Sequence, residues 1–337
     1  MKKMQKTIIA LLMISALLVF ALSGCGDNDT GGGGDGPMRV ALLLSGPAND
    51  QGFNQQAATG LQLAEEEFGI ETVIMENVGA ADMEPLFTDF AVQGFDLIMG
   101  HGFQFGAPAA AVSANFPDQY FASTNAASES PNMASFSLGN QEGAYLIGIL
   151  HASMSESGII GVVGGVEQPS IVREVEAFKL GARSVNPDIT VLEIYIGSFT
   201  DVALGMEAAL AMIDQGADVM YHVANQAGTG AITAAQDRGI LASGNAFDQH
   251  SMAPDTIMLS NVYHIPAIVL HAVEAVRNGT FEGGVFYLGM ADGIVELSPY
   301  HAFEDVIPQS VRDLIEETRL SILDGSFVVP IIETPTR

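Results

Sequence analysis

From Met38 onward, short apolar runs of strand length alternate with stretches of helical periodicity, and this alternation constrains the fold most. The runs are MRVALLLSG (38–46), ETVIMEN (71–77), FDLIMGHG (95–102) and QYFAST (119–124), then GIIGVVGG (158–165), TVLEIYIG (190–197), DVMYHVA (218–224) and ILASGN (240–245). Continuous apolar strands are buried on both faces, which calls for a parallel sheet covered by helices on each side. Helical patterns fall at about 54–68, 82–93, 107–115, 141–154, 170–185, 202–215, 229–238, 265–279 and 310–325, the last two ending at Gly279 and Gly325. The series restarts near residue 140, so the expected fold class is α/β, with two doubly wound parallel-sheet lobes.

In such sheets ligands collect at the carboxyl ends of strands, where the strand order reverses. The segments that follow the strands here carry aromatic rings beside amides and carboxylates. ANDQGFNQ (48–55) offers Asp50, Phe53 and Asn54, and GHGFQFG (100–106) offers His101, Phe103 and Phe105. GSFTD (197–201) supplies Phe199 and Asp201, ANQAG (224–228) supplies Asn225 and Gln226, and GNAFDQH (244–250) supplies Asn245, Phe247 and Asp248. A ring from each lobe can sandwich a flat heterocycle while amides read its edge and carboxylates take sugar hydroxyls. Each residue also has a plainer reading: Asp50, Asn54 and Asp201 as helix N-caps, Phe105 as core.

Enzyme signatures are thin. GHGFQFG spaces its glycines G-x-G-x-x-x-G after a third strand, no Walker motif or G-x-S-x-G elbow occurs, and no H-x-H or H-E-x-x-H pair is present. No catalytic residue, cofactor or metal set is therefore expected. Charge excludes a further class. All 40 acidic residues lie beyond residue 24, against nine basic ones once the three lysines before it are set aside, so that part carries a net charge of −31. Nucleic acid is a poor partner for such a surface.

The amino terminus reads as an export signal. Lys2, Lys3 and Lys6 precede the apolar run TIIALLMISALLVFAL (7–22), which is short for a membrane span. Leu22-Ser23-Gly24-Cys25 resembles the bacterial lipobox, which implies cleavage after residue 24 and lipidation of Cys25, the chain's single cysteine. Residues 25–37 are glycine-rich and read as a flexible tether. The expected place is the bacterial cell envelope, with a soluble domain held outside the membrane by lipid.

Taken in order, NDQGFNQ, GFDLIMGHGFQF, NQEGAYLIGIL (140–150), GVVGGVEQPSIVREVEAFKLGARSVNPD (161–188), GSFTD, IDQGADVMYHVANQAGTG (213–230) and FYLGMADGIVELSP (286–299) resemble the basic membrane protein, or PnrA-like, family. These are substrate-binding lipoproteins of ABC transporters. The resemblance implies a type I periplasmic-binding-protein fold whose lobes are joined by three crossovers, here near 136–140, 260–265 and 283–290. The lobes are then 38–138 with 264–284, and 139–263 with 285–337. It also implies a purine nucleoside as ligand, and a permease and ATPase as partners of a monomeric receptor. By position, Phe53 matches the family's stacking aromatic, Asn54 a base-edge partner, Phe199 the opposing ring, and Asp248 lies in a loop where Asn245 replaces an acid.

One departure bears on the ligand. Nucleoside receptors of the family typically carry a lysine near LSNVYHIP (259–266), and this chain has none there; Lys179 lies on another helix, and Ala291 replaces a second lysine. Tyr263 and His264 are the substitutes at hand. The pattern leaves room for a free nucleobase or another flat or small polar ligand, and for a lipoprotein sensor of the same fold. A nucleoside hydrolase has no support in the residues.

Overall fold

A computed structural model describes residues 36–50 and 52–336. The expected leader, Cys25 and the expected tether as far as Asp35 lie outside the described residues. Among the described residues, no helix is long and apolar enough to cross a membrane.

The first sheet contains β1 (Arg39–Leu44), β2 (Glu71–Met75), β3 (Leu97–His101), β4 (Tyr120–Thr124), β5 (Met133–Leu138) and β11 (Gly284–Leu288). Its order is β11-β5-β4-β3-β1-β2, parallel throughout. The second contains β6 (Ile159–Gly164), β7 (Thr190–Tyr195), β8 (Val219–Val223), β9 (Leu241–Ala246), β10 (Ile257–Tyr263) and β12 (Val295–Leu297). Its order, β12-β10-β9-β8-β6-β7, repeats the first sheet's, except that β12 runs antiparallel at the edge. In each sheet the strand order reverses beside the first strand, between β1 and β3 and between β6 and β8.

Helices cover both faces: α1 (Phe53–Phe68), α2 (Met83–Val92), α3 (Gly106–Ser113), α4 (Asn140–Met154), α5 (Pro169–Val185), α6 (Val202–Ile213), α7 (Gly228–Arg238), α8 (Ile265–Arg277) and α9 (Gln309–Leu323). One core cluster runs through both lobes, from Val40, Leu42 and Leu44 to Phe178 and Tyr221. Phe87, Phe90, Phe105 and Phe121 fill the other face of the first sheet, while alanines and methionines fill that of the second. Helices α4 and α5 approach backbone to backbone: a Cβ on Gly181 would strike the Tyr145 carbonyl, and one on Gly148 the Phe178 carbonyl.

The chain passes between lobes at Gly139, at His264 and at 289–294. The third crossing begins inside the expected 283–290, but the lobe boundary falls after residue 288 and not after residue 284. Residues 285–288, assigned to the second lobe, pair in register with β5 in the first sheet, from Val285↔Ser135 to Leu288↔Leu138. The parallel pairing continues the sheet edge, and the chain leaves it only at Gly289.

Four of these strands are not marked by the sequence pattern. β5 (MASFSL) and β10 (IMLSNVY) bury Ser135, Ser137, Ser260 and Asn261, whose polarity masks a strand pattern. β11 and β12 are edge strands, short and partly exposed.

Candidate ligand cleft

The carboxyl ends of β1, β3, β8 and β9 converge on one cavity between the lobes. Its empty space, with the open mouth included, is about 570 Å³. Phe53, Asn54 and Phe103 line it from the first lobe, and Phe199, Asn225 and Asn245 from the second.

Phe53 opens α1, where the chain turns out of β1. Its ring stacks on His101 with centroids 3.8 Å apart and planes inclined at 25°. His101 is fully buried; its Nε2 donates to the Phe53 carbonyl (2.8 Å), which fixes the tautomer, and Nδ1 accepts from the Thr124 hydroxyl (2.6 Å). Burial lowers its pKa to about 4, against the Phe53 carbonyl and Asp50, so the imidazole backing the ring is neutral. Gly102 follows with φ 125°, a conformation that glycine adopts readily, and its N–H donates to Thr124 Oγ1. Phe199 lies against Gly165, where any Cβ would collide with the ring.

Asp50 is buried behind the wall, not on it. Its carboxylate accepts from the backbone N–H groups of Gly52, Asn54 and Gln55, from Asn54 Nδ2 (2.8 Å) and from Asn225 Nδ2 (2.8 Å). It thus ties the first turn of α1 to the opposite lobe. Asn225 Oδ1 accepts the Phe53 N–H at 2.9 Å, completing a two-bond link across the cleft. Gln56 Nε2 donates to the carbonyl of Ala246, a non-glycine residue at φ 71°. Arg173 on α5 reaches Ser137 Oγ and Asn125 Oδ1 of the first lobe.

The remaining sequence candidates lie elsewhere. Asp248 pairs with His301 at 2.6 Å and is not among the residues lining the cavity. Asp201 caps α6, Phe105 belongs to the core, and Gln226 and Phe247 are not among the lining residues. Of the two substitutes for the absent lysine, Tyr263 lines the cavity, whereas His264 pairs with Glu296 at 2.9 Å. Lys179 is buried away from the cleft, bonded to Glu176, Glu193 and the Thr336 carbonyl at 2.7–2.8 Å, and so holds the end of the chain against α5.

Glu174 was missed. A charged residue inside an amphipathic helix reads as solvent-facing, yet this one is 1% exposed on the cavity floor. Its Oε1 accepts from Tyr263 (2.6 Å), Tyr221 (2.7 Å), Asn245 Nδ2 (2.5 Å) and Asn261 Nδ2 (3.1 Å); Oε2 accepts from Asn140 Nδ2 (2.7 Å). Burial pushes the carboxyl pKa up, while the four donors to Oε1 pull it back. Among the described residues, no cluster of His, Cys, Asp and Glu has the arrangement of a metal site.

The family model "ABC transporter substrate-binding protein PnrA-like" aligns with residues 38–329. The chain belongs to this family. Its members are substrate-binding proteins, not enzymes; they bind small ligands, work with permease components and are typically extracytoplasmic. A purine-binding protein of Brucella abortus is 33% identical over 293 residues, 86% of this chain and 82% of that one. The nucleoside-binding protein BmpA of Lactococcus lactis is 27% identical, covering 97% of this chain and 99% of its own. Among solved structures, a solute-binding protein of an Aeropyrum pernix ABC transporter superposes with a TM-score of 0.81 at 28% identity, over 87% of this chain and 94% of that one. The fold is thus the type I architecture of periplasmic solute-binding proteins.

Proposed function

We propose that the protein captures purine nucleosides in this cleft and delivers them to an ABC permease, held at the membrane through lipid on Cys25. The observation that carries the reading is the presence of Phe53 and Phe199 on one cavity, contributed by opposite lobes and flanked by Asn54, Asn225 and Asn245. Two rings hold a flat base, and amides pair with its edge. The purine- and nucleoside-binding relatives support the same ligand class. Closure about the three crossovers requires only that ligand favour the closed over the open arrangement.

Titration calorimetry of the purified protein tests the ligand. Heat on adding inosine, guanosine or adenosine is expected; silence with all three sinks the assignment. Labelled palmitate tests the anchor, since incorporation is expected in the parent and should vanish in Cys25→Ser.

A further inference from the structure

The floor of the cleft holds two acceptors whose orientation is already fixed. Asn140, at the start of α4, is 2% exposed and commits its amide nitrogen to Glu174 Oε2. Its carbonyl Oδ1 is thereby turned from Glu174 and has no hydrogen-bond partner among the described residues. Glu174 Oε1 is crowded by four donors, but Oε2 takes one and keeps a free lone pair. Asn261 Nδ2 also donates to the Asn140 backbone carbonyl, bracing the pair. Both Asn140 and Glu174 line the cavity.

Asn54 repeats the device at the stacking end. Its Nδ2 is held by Asp50 Oδ2, and its buried Oδ1 has no partner among the described residues. Buried polar atoms are costly to leave unpaired, so these oxygens favour a ligand that brings donors. No lysine or arginine is among the residues lining the cleft.

We propose that Asn140 and Glu174 form a donor-reading subsite, which takes two adjacent hydrogen-bond donors from an uncharged ligand. The proposal rests on the purine nucleoside reading and deepens it. Two parts of a nucleoside carry such a pair: the vicinal 2′,3′-hydroxyls of ribose, and the N1–H with the 2-amino group of guanine. A phosphate brings oxygens to oxygens and is rejected, so the site separates nucleosides from nucleotides. Selectivity that the rings cannot supply, because every base has a face to stack, comes from this floor.

The test is titration calorimetry of the whole protein and of Glu174→Gln and Asn140→Leu. The probes are guanosine, inosine, 2′,3′-dideoxyinosine, inosine 5′-monophosphate and ribose. In the parent, inosine is expected to bind at least about tenfold more tightly than its dideoxy form, or guanosine more tightly than inosine, and the pair that differs identifies the source of the donors. Each variant should shrink that ratio to below about threefold while changing the donor-poor ligand's affinity far less. Loss of all ligands by one common factor is what a merely structural role gives, and it overturns the subsite. So do equal parent affinities across both pairs, or a monophosphate bound as tightly as inosine. If the parent binds nucleosides but the ratios persist in both variants, the subsite fails and the nucleoside reading stands. If it binds ribose and no nucleoside, and Glu174→Gln removes that binding, the nucleoside reading fails and the subsite stands. Binding of no probe overturns both.

Discussion

The backbone N–H of Phe53 donates across the cleft to Asn225 Oδ1 at 2.9 Å, so a residue that lines the cavity from one lobe is also fastened to the other. The same asparagine returns a bond from Nδ2 to Asp50. Asn225→Ala removes both, one of them to a carboxylate, while Asp50 keeps its other donors. Ligand affinity should fall by about 1–3 kcal/mol, five- to 150-fold. Small-angle scattering of the free variant should report a larger radius of gyration than the parent's.

The ring itself can be removed or displaced. Phe53→Ala should weaken purine binding by about 1–3 kcal/mol, and it also uncovers His101. With solvent admitted, the imidazole pKa should climb from about 4 toward its ordinary 6.5, which a histidine NMR titration follows. Gly165→Ala displaces rather than deletes, because its methyl group occupies the place of the Phe199 ring. It should lower affinity much as Phe199→Ala does; calorimetry on the two side by side is the check.

Acid should destabilise the protein through histidines buried in neutral form. His151 is fully buried, and burial lowers its pKa to about 3. Unfolded, it titrates near 6.5. Between those values the unfolded chain binds the extra proton, so this contribution is complete above pH 6.5 and is lost as the pH falls toward 3. From pH 6 to pH 4 the loss is about 2–3 kcal/mol for this one group. Glu174 and Glu142, whose pKa values burial raises, contribute with the opposite sign. Urea midpoints of parent and His151→Gln, measured across that range, cancel the carboxyl contributions in the difference. The two curves should converge as the pH falls.

Breaking the ion pairs of Lys179 should be costly. Lys179→Met leaves Glu176 buried and without its cation, a change worth about 3–5 kcal/mol. The C-terminal segment, held by Lys179 and by two bonds from Thr336 to Glu176, should become the first site cut in limited proteolysis.

Much of this architecture is legible in the sequence because burial on both faces makes strands such as VALLL (40–44) unmistakable, and helices between them show their period. The cleft residues that follow strand ends, Phe53, Phe199 and Asn225 among them, are legible for the same reason: topology alone sends those loops to the strands' carboxyl ends. Glu174 is not legible. Its meaning depends on Tyr221, Tyr263, Asn245 and Asn261, which approach it from strands 47 to 89 positions away in the chain. Asp248 shows the converse, a residue in the right loop whose side chain turns to His301. The lobe boundary shifts from 284 to 288 because nothing local in VFYL (285–288) distinguishes an edge strand from a linker.

The placement of Lys179 has a consequence for chemistry at the surface. Beyond residue 24 the chain has no other lysine, and this one is only 3% exposed, with its ammonium enclosed by two glutamates and a carbonyl. Amine-reactive reagents should therefore find no ready lysine on the folded domain. Labelling of Lys179 then becomes a clock for opening of the C-terminal segment, read as one mass increment on one peptide.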